Sequence, residues 1–279
     1  MTISFKKIVI VGRREDVRVR EPMSVLTEHL KKAGATLLDK KAIADADLVM
    51  SIGGDGTMLY ASRLTREFGT PILGINRGRL GFLADVLPEE LISSVDKVLA
   101  GDFTTDSRLL LEARLERSSG DNIVGYALND IVLQRRETGR MVDFETRVAG
   151  QYVNTHSGDG LIVATPTGST AYALSCGGPI IEPQLDVVVI VPVCPHTLTD
   201  RPIVISADQS IEATLLDRDE TRAEVTVDGF SLGDIEPDDK LRISAAKSRV
   251  TLVHPPGYDF YGILRSKLFW GRDNRKRKL

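Results

Sequence analysis

The sequence predicts an α/β domain with a parallel sheet, then an all-β domain of two sheets, and a C-terminal arm that returns to the first domain. In the first hundred residues, short apolar runs alternate with helical segments, which is typical of a parallel sheet covered by helices. Residues 102–255 contain short runs joined by segments rich in Gly, Asp, Asn and Pro, which is typical of antiparallel sheets. The predicted domains are therefore 1–101, completed by 256–279, and 102–255.

The elements of the first domain follow from apolar runs and from helix start and stop signals. Pro22 lies near the start of one helical segment, Leu26 and Leu30 are one turn apart, and Gly34 marks its end. By the same signals, we predict three strands, at 8–11, 48–52 and 71–75, and three helices, at 22–33, 58–68 and 88–99.

The second domain is predicted from runs in which apolar and polar residues often alternate. A short helix over Ser169–Ser175 interrupts them, and Tyr258–Trp270 forms a helix or an irregular arm. The predicted strands are 109–117, 126–133, 141–148, 187–191, 211–215, 223–227 and 241–243.

Composition narrows the class of protein. The longest apolar runs fall well short of the roughly 20 residues of a membrane span, and the first residues do not resemble a secretory signal. Two cysteines cannot form a disulfide framework, so we expect a cytoplasmic protein without a membrane partner. The last nine residues hold five basic side chains, but the net charge is −3 and the rest of the chain is acidic. We therefore interpret this tail as solvated and expect no nucleic-acid partner.

The strongest local signal is the run Gly53-Gly54-Asp55-Gly56-Thr57, between a predicted strand and a predicted helix. Glycines let backbone amides approach phosphate oxygens, and the N-terminus of the helix adds a partial positive charge. A carboxylate would repel phosphate, so Asp55 suits a general base for a sugar hydroxyl or a group beside a metal ion. The structural alternative is a tight turn with Asp55 as a helix cap.

The run at Gly53 resembles a motif shared by NAD kinases, diacylglycerol and sphingosine kinases, and phosphofructokinases. Further segments resemble the NAD kinases alone, in that family's order from Ile8 to about Trp270. These segments are Asn76-Arg77-Gly78-Arg79-Leu80-Gly81-Phe82-Leu83, Leu128-Asn129-Asp130, Thr165-Pro166-Thr167-Gly168-Ser169-Thr170-Ala171-Tyr172, Gly177-Gly178-Pro179, Pro195-His196-Thr197-Leu198 and Arg201-Pro202.

The resemblance implies roles for individual residues. Asp55 would deprotonate the 2′-hydroxyl of the adenosine ribose of NAD, with Gly56 beside it, and Phe82 would line the pocket wall. Asn129 and Asp130 would hydrogen-bond the ribose and the nicotinamide side. The resemblance also implies further NAD-binding residues: Arg140 near the phosphates, Asp159, Thr170, Ala171, Tyr172 and Ser175.

The residue types support several of these roles independently. An Asn-Asp pair offers donors and acceptors to ribose hydroxyls, and Tyr172 can stack on adenine with the Thr170 and Ser175 hydroxyls about one helical turn apart. Structural alternatives stay open: an ordinary turn at Asn129-Asp130, a core aromatic at Tyr172, and a solvated Arg140. His156 and His196 lack the spacing of metal ligands.

Two positions depart from the family pattern. Many relatives have Arg where this chain has Ser157, and Asp-Gly-Gln where it has Asp228-Gly229-Phe230. These differences put the choice between NAD and NADH in doubt, but not the reaction class.

The resemblance implies an enzyme that uses ATP, NAD and a divalent cation, with Mg²⁺ expected, and that forms a homodimer or homotetramer. Two other functions stay open: a lipid or sugar kinase of the same superfamily, and a non-catalytic sensor of nicotinamide nucleotides. The sequence also leaves open whether ATP or polyphosphate is the phosphoryl donor.

Overall fold

The computed structural model describes residues 3–78, 81–136, 141–217 and 222–270. The chain divides into two compact units, Met1–Asp106 with Thr251–Leu279, and Ser107–Val250. The first contains a mainly parallel sheet and the second two antiparallel sheets, which confirms the predicted fold class. The domain boundaries after residues 101 and 255 stay a prediction. The division between the two units falls after Asp106 and after Val250, a few residues from each predicted boundary.

The sheet of the first unit has six strands in the order β2-β1-β3-β4-β18-β5. Its pairs from β2 to β18 are parallel, and β18 joins the sheet beside β4. The end of the chain therefore returns to the first unit through a strand that the sequence did not predict. The strands are β1 (Lys7–Gly12), β2 (Thr36–Leu38), β3 (Leu48–Gly53), β4 (Ile72–Asn76), β5 (Thr104–Arg108) and β18 (Val250–His254).

Helices of the first unit begin at other residues than the sequence predicts. The helix predicted from Pro22 starts at Val17 instead, because the Asp16 carboxylate accepts the N–H of Arg18 at 3.0 Å and caps it. The helix predicted from Pro88 is preceded there by a 3₁₀ turn, Pro88–Glu90. The helices of the first unit are α1 (Val17–Lys32), α2 (Asp55–Thr65), α3 (Leu91–Leu99) and α5 (Phe260–Leu268).

The second unit consists of two antiparallel sheets of six strands each, in the orders β10-β9-β14-β17-β6-β7 and β13-β12-β11-β8-β15-β16. Its helix α4 covers Tyr172–Ser175. The strands are β6 (Leu111–Glu116), β7 (Asn122–Ala127), β8 (Asp130–Arg135), β9 (Val142–Val148), β10 (Gln151–Gly158), β11 (Gly160–Ala164), β12 (Val187–Val193), β13 (Ile203–Ser206), β14 (Ile211–Leu215), β15 (Ala223–Val227), β16 (Phe230–Ile235) and β17 (Lys240–Ala245).

One apolar core joins the two sheets of this unit. Leu111, Leu115 and Phe144 of one sheet belong to the same buried cluster as Ile131 and Leu133 of the other. The strands β8, β11 and β12 are buried on both faces, because their opposite side packs against Ala173 and neighbouring residues. A strand buried on both faces reads as a short continuous apolar run without alternation, and β11 was not predicted as a strand from the sequence.

The predicted strand over 126–133 is wrong in one respect that matters for the site. It is two strands, β7 and β8, and Leu128 and Asn129 lie between them. Within the described ranges no helix has the length and apolar character of a membrane span.

Candidate active site

In the first unit, Gly53 and Gly54 connect β3 to α2. Every residue of β3 is buried. A β-carbon at Gly53 would collide with the Thr57 side chain, so this connection requires glycine. The Gly54 carbonyl accepts the N–H of Thr57 at 2.8 Å, and α2 begins at Asp55, three residues before the predicted start. Asp55 and Gly56 therefore lie in the first turn of the helix, where backbone N–H groups are left without helical partners.

The Asp55 carboxylate is held by the segment that follows β4. Its Oδ2 accepts the N–H of Phe82 and its Oδ1 accepts the N–H of Leu83, both at 3.1 Å. A β-carbon at Gly81 would collide with Asp55 Oδ1, so glycine there allows this approach. The helix-cap alternative is wrong, since Gly54 is the capping residue and the Asp55 carboxylate accepts hydrogen bonds from Phe82 and Leu83 of this segment. The carboxylate is half-buried and fixed in orientation.

In the second unit, all six backbone polar groups of Leu128–Asp130 are hydrogen-bonded. The Asp228 carboxylate accepts the N–H of Leu128 at 2.9 Å, of Asn129 at 2.7 Å and of Asp130 at 3.3 Å. The Asp228 N–H donates to the Asp130 carbonyl at 2.9 Å. The Thr165 hydroxyl and N–H donate to the carbonyls of Leu128 and Asn129. This segment is therefore more constrained than an ordinary turn.

Asp130 is a buried carboxyl group with an altered acidity. Burial, and then the nearby Asp228 carboxylate, raise the pKa of Asp130 to about 7. Both effects disfavour the charged form. Asp130 can therefore donate or accept a hydrogen bond near neutral pH, and a perturbed acid of this kind is typical of a functional site.

Asp159 lies between β10 and β11 and forms an ion pair with Arg135, at the end of β8. Arg135 Nε is 2.9 Å from Asp159 Oδ1, and Nη2 is 3.3 Å from Oδ2. Gly160 has φ 157°, and a β-carbon there would collide with the Leu133 carbonyl. Asp130 begins β8 and Arg135 ends it, so the Cα atoms of these two residues are about 17 Å apart along the strand.

The segment after β11 is not the continuous helix that the sequence predicts. A 3₁₀ turn over Thr167–Thr170 and the short α4 meet at Ala171, whose φ of −97° and ψ of −128° are not helical. The prediction that Thr170 and Ser175 stand one turn apart on a helix is therefore wrong. Thr170 instead donates its hydroxyl to the Thr167 carbonyl at 3.2 Å, and Ser175 is exposed.

Tyr172 begins α4, and its side chain is 43% exposed, so it is not a core aromatic. Partial burial and then Cys176 raise the pKa of its hydroxyl, with smaller effects from Cys194 and Asp159. Tyr172 therefore lies in the electrostatic environment of Asp159.

Comparisons with known proteins identify the family. Residues 11–103 match the model of the ATP-NAD kinase N-terminal domain, and residues 128–255 match that of the ATP-NAD kinase C-terminal domain. The chain belongs to the ATP-NAD kinase family. It is therefore a kinase.

Relatives resemble the chain over nearly its full length. The NAD kinase of Nitrosococcus oceani is 42% identical over 98% of this chain and 99% of its own. The NAD kinase of Nitrosospira multiformis is 41% identical over 97% of each chain.

Solved structures agree on the fold. An NAD kinase from Archaeoglobus fulgidus in complex with ATP is 27% identical, with a TM-score of 0.73 over 94% of this chain and 98% of its own. A yeast NADH kinase complexed with NADH has a TM-score of 0.89 over 98% of this chain and 90% of its own, at 23% identity.

The two positions that depart from the family pattern have specific surroundings here. The Ser157 hydroxyl donates to the Asp143 carboxylate in a short hydrogen bond. Phe230 is 49% exposed at the start of β16. Arg140, which the resemblance places near the phosphates, lies outside the described residues, as do Arg79 and Leu80.

The structure adds two residues that sequence reasoning missed. Arg135 pairs with Asp159, and the Asp228 carboxylate binds the Asn129-Asp130 backbone. Asp228 is 98 to 100 residues away from its partners along the chain, so no local spacing could reveal the contact. The signal available in the sequence was the Asp-Gly pair, which is typical of a tight turn.

The described part of the chain contains no group of three or more His, Cys, Asp or Glu side chains able to hold a metal ion. His156 instead pairs with Asp200 at 2.9 Å and stacks on Phe144. These two contacts are those of a histidine that packs inside the second unit.

Proposed function

We propose that this chain transfers the γ-phosphoryl group of ATP to the 2′-hydroxyl of the adenosine ribose of NAD, giving NADP and ADP. Membership of the ATP-NAD kinase family supports this reaction. One observation supports it at the level of residues: the Asp55 carboxylate is fixed by two backbone N–H groups at the start of a helix that follows a Gly-Gly turn.

Asp55 acts as the general base. The hydrogen bonds from Phe82 and Leu83 use one lone pair of each carboxylate oxygen, so a further lone pair can accept a proton. As the 2′-oxygen forms its bond to the γ-phosphorus, its proton passes to Asp55, and the bond between this phosphorus and the bridging oxygen of ADP breaks. Removing the proton makes a poor nucleophile more reactive, and such catalysis contributes about 10² to 10⁴-fold.

Residues of the second unit bind NAD in this proposal. Asn129 and Asp130 hydrogen-bond ribose hydroxyls through their side chains, because their backbone groups are already hydrogen-bonded within the protein. Tyr172 stacks on a base, which its 43% exposure permits. Asp159 accepts a further hydrogen bond, oriented by Arg135.

The remaining residues have roles that rest on the family resemblance. Phe82 lines the pocket wall beside Asp55 and Gly56. Further contacts to NAD come from Arg140, Thr170, Ala171 and Ser175.

The reaction uses a divalent cation, with Mg²⁺ the expected ion. Magnesium commonly binds substrate phosphates with one or two protein carboxylates rather than a complete cage of side chains. The half-buried Asp55 suits such a site, since it is a carboxylate beside a Gly-rich turn. The cation would neutralise charge on the triphosphate.

We further propose a cytoplasmic homodimer or homotetramer. The two cysteines are half-buried and exposed free thiols, which suits a reducing compartment.

NADP formation tests the proposed function. The purified protein is incubated with ATP, Mg²⁺ and, in separate reactions, NAD, NADH, diacylglycerol or sphingosine, with polyphosphate as an alternative donor. We expect NADP from ATP and NAD, and no phosphorylated lipid. Phosphorylation of a lipid alone would favour the second kinase class, and tight NAD binding without turnover would favour a sensor.

A further inference from the structure

Asp228 is buried, with 8% of its surface exposed, at the turn between β15 and β16. A buried carboxylate is costly unless hydrogen bonds compensate it. Here they come from three consecutive backbone N–H groups, those of Leu128, Asn129 and Asp130. The φ of 49° at Asp228 and of 77° at Gly229 bring the carboxylate back over this segment.

The opposite side of the same segment is fixed by Thr165 and Gly168. The Thr165 hydroxyl donates to the Leu128 carbonyl at 2.5 Å, and its N–H donates to the Asn129 carbonyl at 2.9 Å. A β-carbon at Gly168 would collide with the Asn129 backbone. The backbone of the segment is therefore enclosed by two elements that are distant in sequence.

We propose that Asp228 is a positioning residue for NAD binding, which sets the backbone of Asn129 and Asp130 and places its charge beside the Asp130 carboxyl group. This inference rests on the proposed function, because it assigns Asn129 and Asp130 to the ligand. Asp228 itself acts through these residues and not on the substrate.

The electrostatic part of the proposal follows from the surroundings of Asp130. Burial is the larger cause of the raised pKa of Asp130, and the negative charge of Asp228 is the second. Ala164 on β11, which pairs with Asp130, and Val227 on β15, which pairs with the next residue of β8, are uncharged. Removing the charge of Asp228 therefore lowers the pKa of Asp130 and moves its ionisation to lower pH.

The test compares Asp228→Asn with Asp239→Asn. Asp239 is the control, because its buried carboxylate also accepts backbone N–H groups, from Ser118 and Glu236. It pairs in addition with Arg117, and these three partners lie outside the Leu128–Asp130 segment. The three N–H groups donate to both carboxylate oxygens of Asp228, whereas asparagine has a single acceptor oxygen. Asp228→Asn therefore loses at least one of these hydrogen bonds, which loosens the segment. Calorimetry measures the Kd for NAD from about pH 5 to about pH 9, and NADP formation gives kcat and KM.

We expect Asp228→Asn to raise the Kd for NAD roughly tenfold and to move the pH dependence of binding to lower pH. Asp239→Asn should lower the Tm without either effect. Equal effects of the two variants on NAD binding, or an unchanged pH dependence in Asp228→Asn, would overturn the proposal.

Thr165→Val provides a second test should Asp228→Asn fail to fold. It removes the hydroxyl donor to Leu128 and leaves both charges in place. The Kd for NAD should rise while its pH dependence stays unchanged, and an unchanged Kd would contradict the proposal. A wild-type protein that binds NAD but forms no NADP would refute the proposed function only, since the Kd comparison needs no turnover.

Discussion

Arg135 binds the carboxylate of Asp159 through two of its nitrogens, Nε at 2.9 Å from Oδ1 and Nη2 at 3.3 Å from Oδ2. The Arg135 N–H also donates to the Asp159 carbonyl at 3.0 Å. One arginine at the end of β8 therefore fixes both the backbone and the side chain of Asp159. A two-point contact of this kind sets the direction of a carboxylate as well as its charge.

Arg135→Met should weaken NAD binding by about 1 to 2 kcal/mol, because Asp159 loses the group that orients it. Calorimetry with NAD measures this change. The control is Arg136→Met, which breaks a pair with Asp234 in which both side chains are about half exposed; such pairs contribute little. Equal Kd values for the two variants would show that the Arg135 pair does not orient a ligand-binding group.

Tyr172→Ala should weaken NAD binding by about 1 to 3 kcal/mol through lost stacking, if stacking on nucleobases carries over. ATP binding should change little. Tyr152→Ala is the control, because Tyr152 is another exposed tyrosine of the second unit, bonded to Thr155. Calorimetry with NAD and with ATP separates a stacking role from a structural role of Tyr172. Equal losses of affinity for NAD and ATP would contradict a stacking role.

Ser157→Arg should raise the preference for NAD over NADH, measured as the ratio of the two kcat/KM values. The serine is small and neutral where the family resemblance implies Arg, and its hydroxyl is already hydrogen-bonded to Asp143. Ser157→Ala removes this bond without adding charge and serves as the control. An unchanged ratio in Ser157→Arg would exclude position 157 from this choice.

Asp130→Asn should stabilise the folded protein relative to the wild type, by an amount that increases as pH rises. The pKa of Asp130 is raised from 3.8 to about 7 in the folded protein, so the folded state binds the proton more tightly than the unfolded state between these values. Its contribution to stability is present below about pH 4 and is lost as pH rises through about 7. Urea unfolding should give a free energy of unfolding that is a few kcal/mol higher for the variant than for the wild-type protein at about pH 8. At about pH 4 the two values should be nearly equal. A constant difference would mean that Asp130 titrates normally.

The sequence predicted those parts of the fold that depend on local pattern. The buried strand before Gly53 and the glycines after it are readable from neighbouring residues. Strand β10 was missed because its exposed half, from Gln151 to Thr155, lacks apolar alternation. Strand β13 was missed because it is a short edge strand, and β18 because its place beside β4 depends on the distant first hundred residues.

The same limit applies to the site. Asp55 could be found from its motif, but its bonds to Phe82 and Leu83 join residues 27 and 28 positions apart. The break at Ala171 could not be predicted, since Thr170 to Ser175 has an ordinary helical composition and tertiary contacts of Gly168 with Asn129 decide the backbone there.

The most direct test of the account is the kcat of Asp55→Asn beside that of Asp47→Asn. Asp47 is the control in the same unit for the loss of a carboxylate charge: its Oδ2 accepts two backbone N–H groups, those of Lys6 and Lys7, and asparagine can keep both bonds. Asparagine at position 55 keeps one acceptor oxygen, so it retains one of the two bonds from Phe82 and Leu83. It cannot take the proton, and it removes a negative charge that would repel triphosphate. We predict that kcat for NADP formation falls about 10² to 10⁴-fold in Asp55→Asn, with the Kd for NAD retained, and that Asp47→Asn turns over normally. Lost NAD binding with near-normal kcat at saturating NAD would contradict the account and make Asp55 a positioning residue.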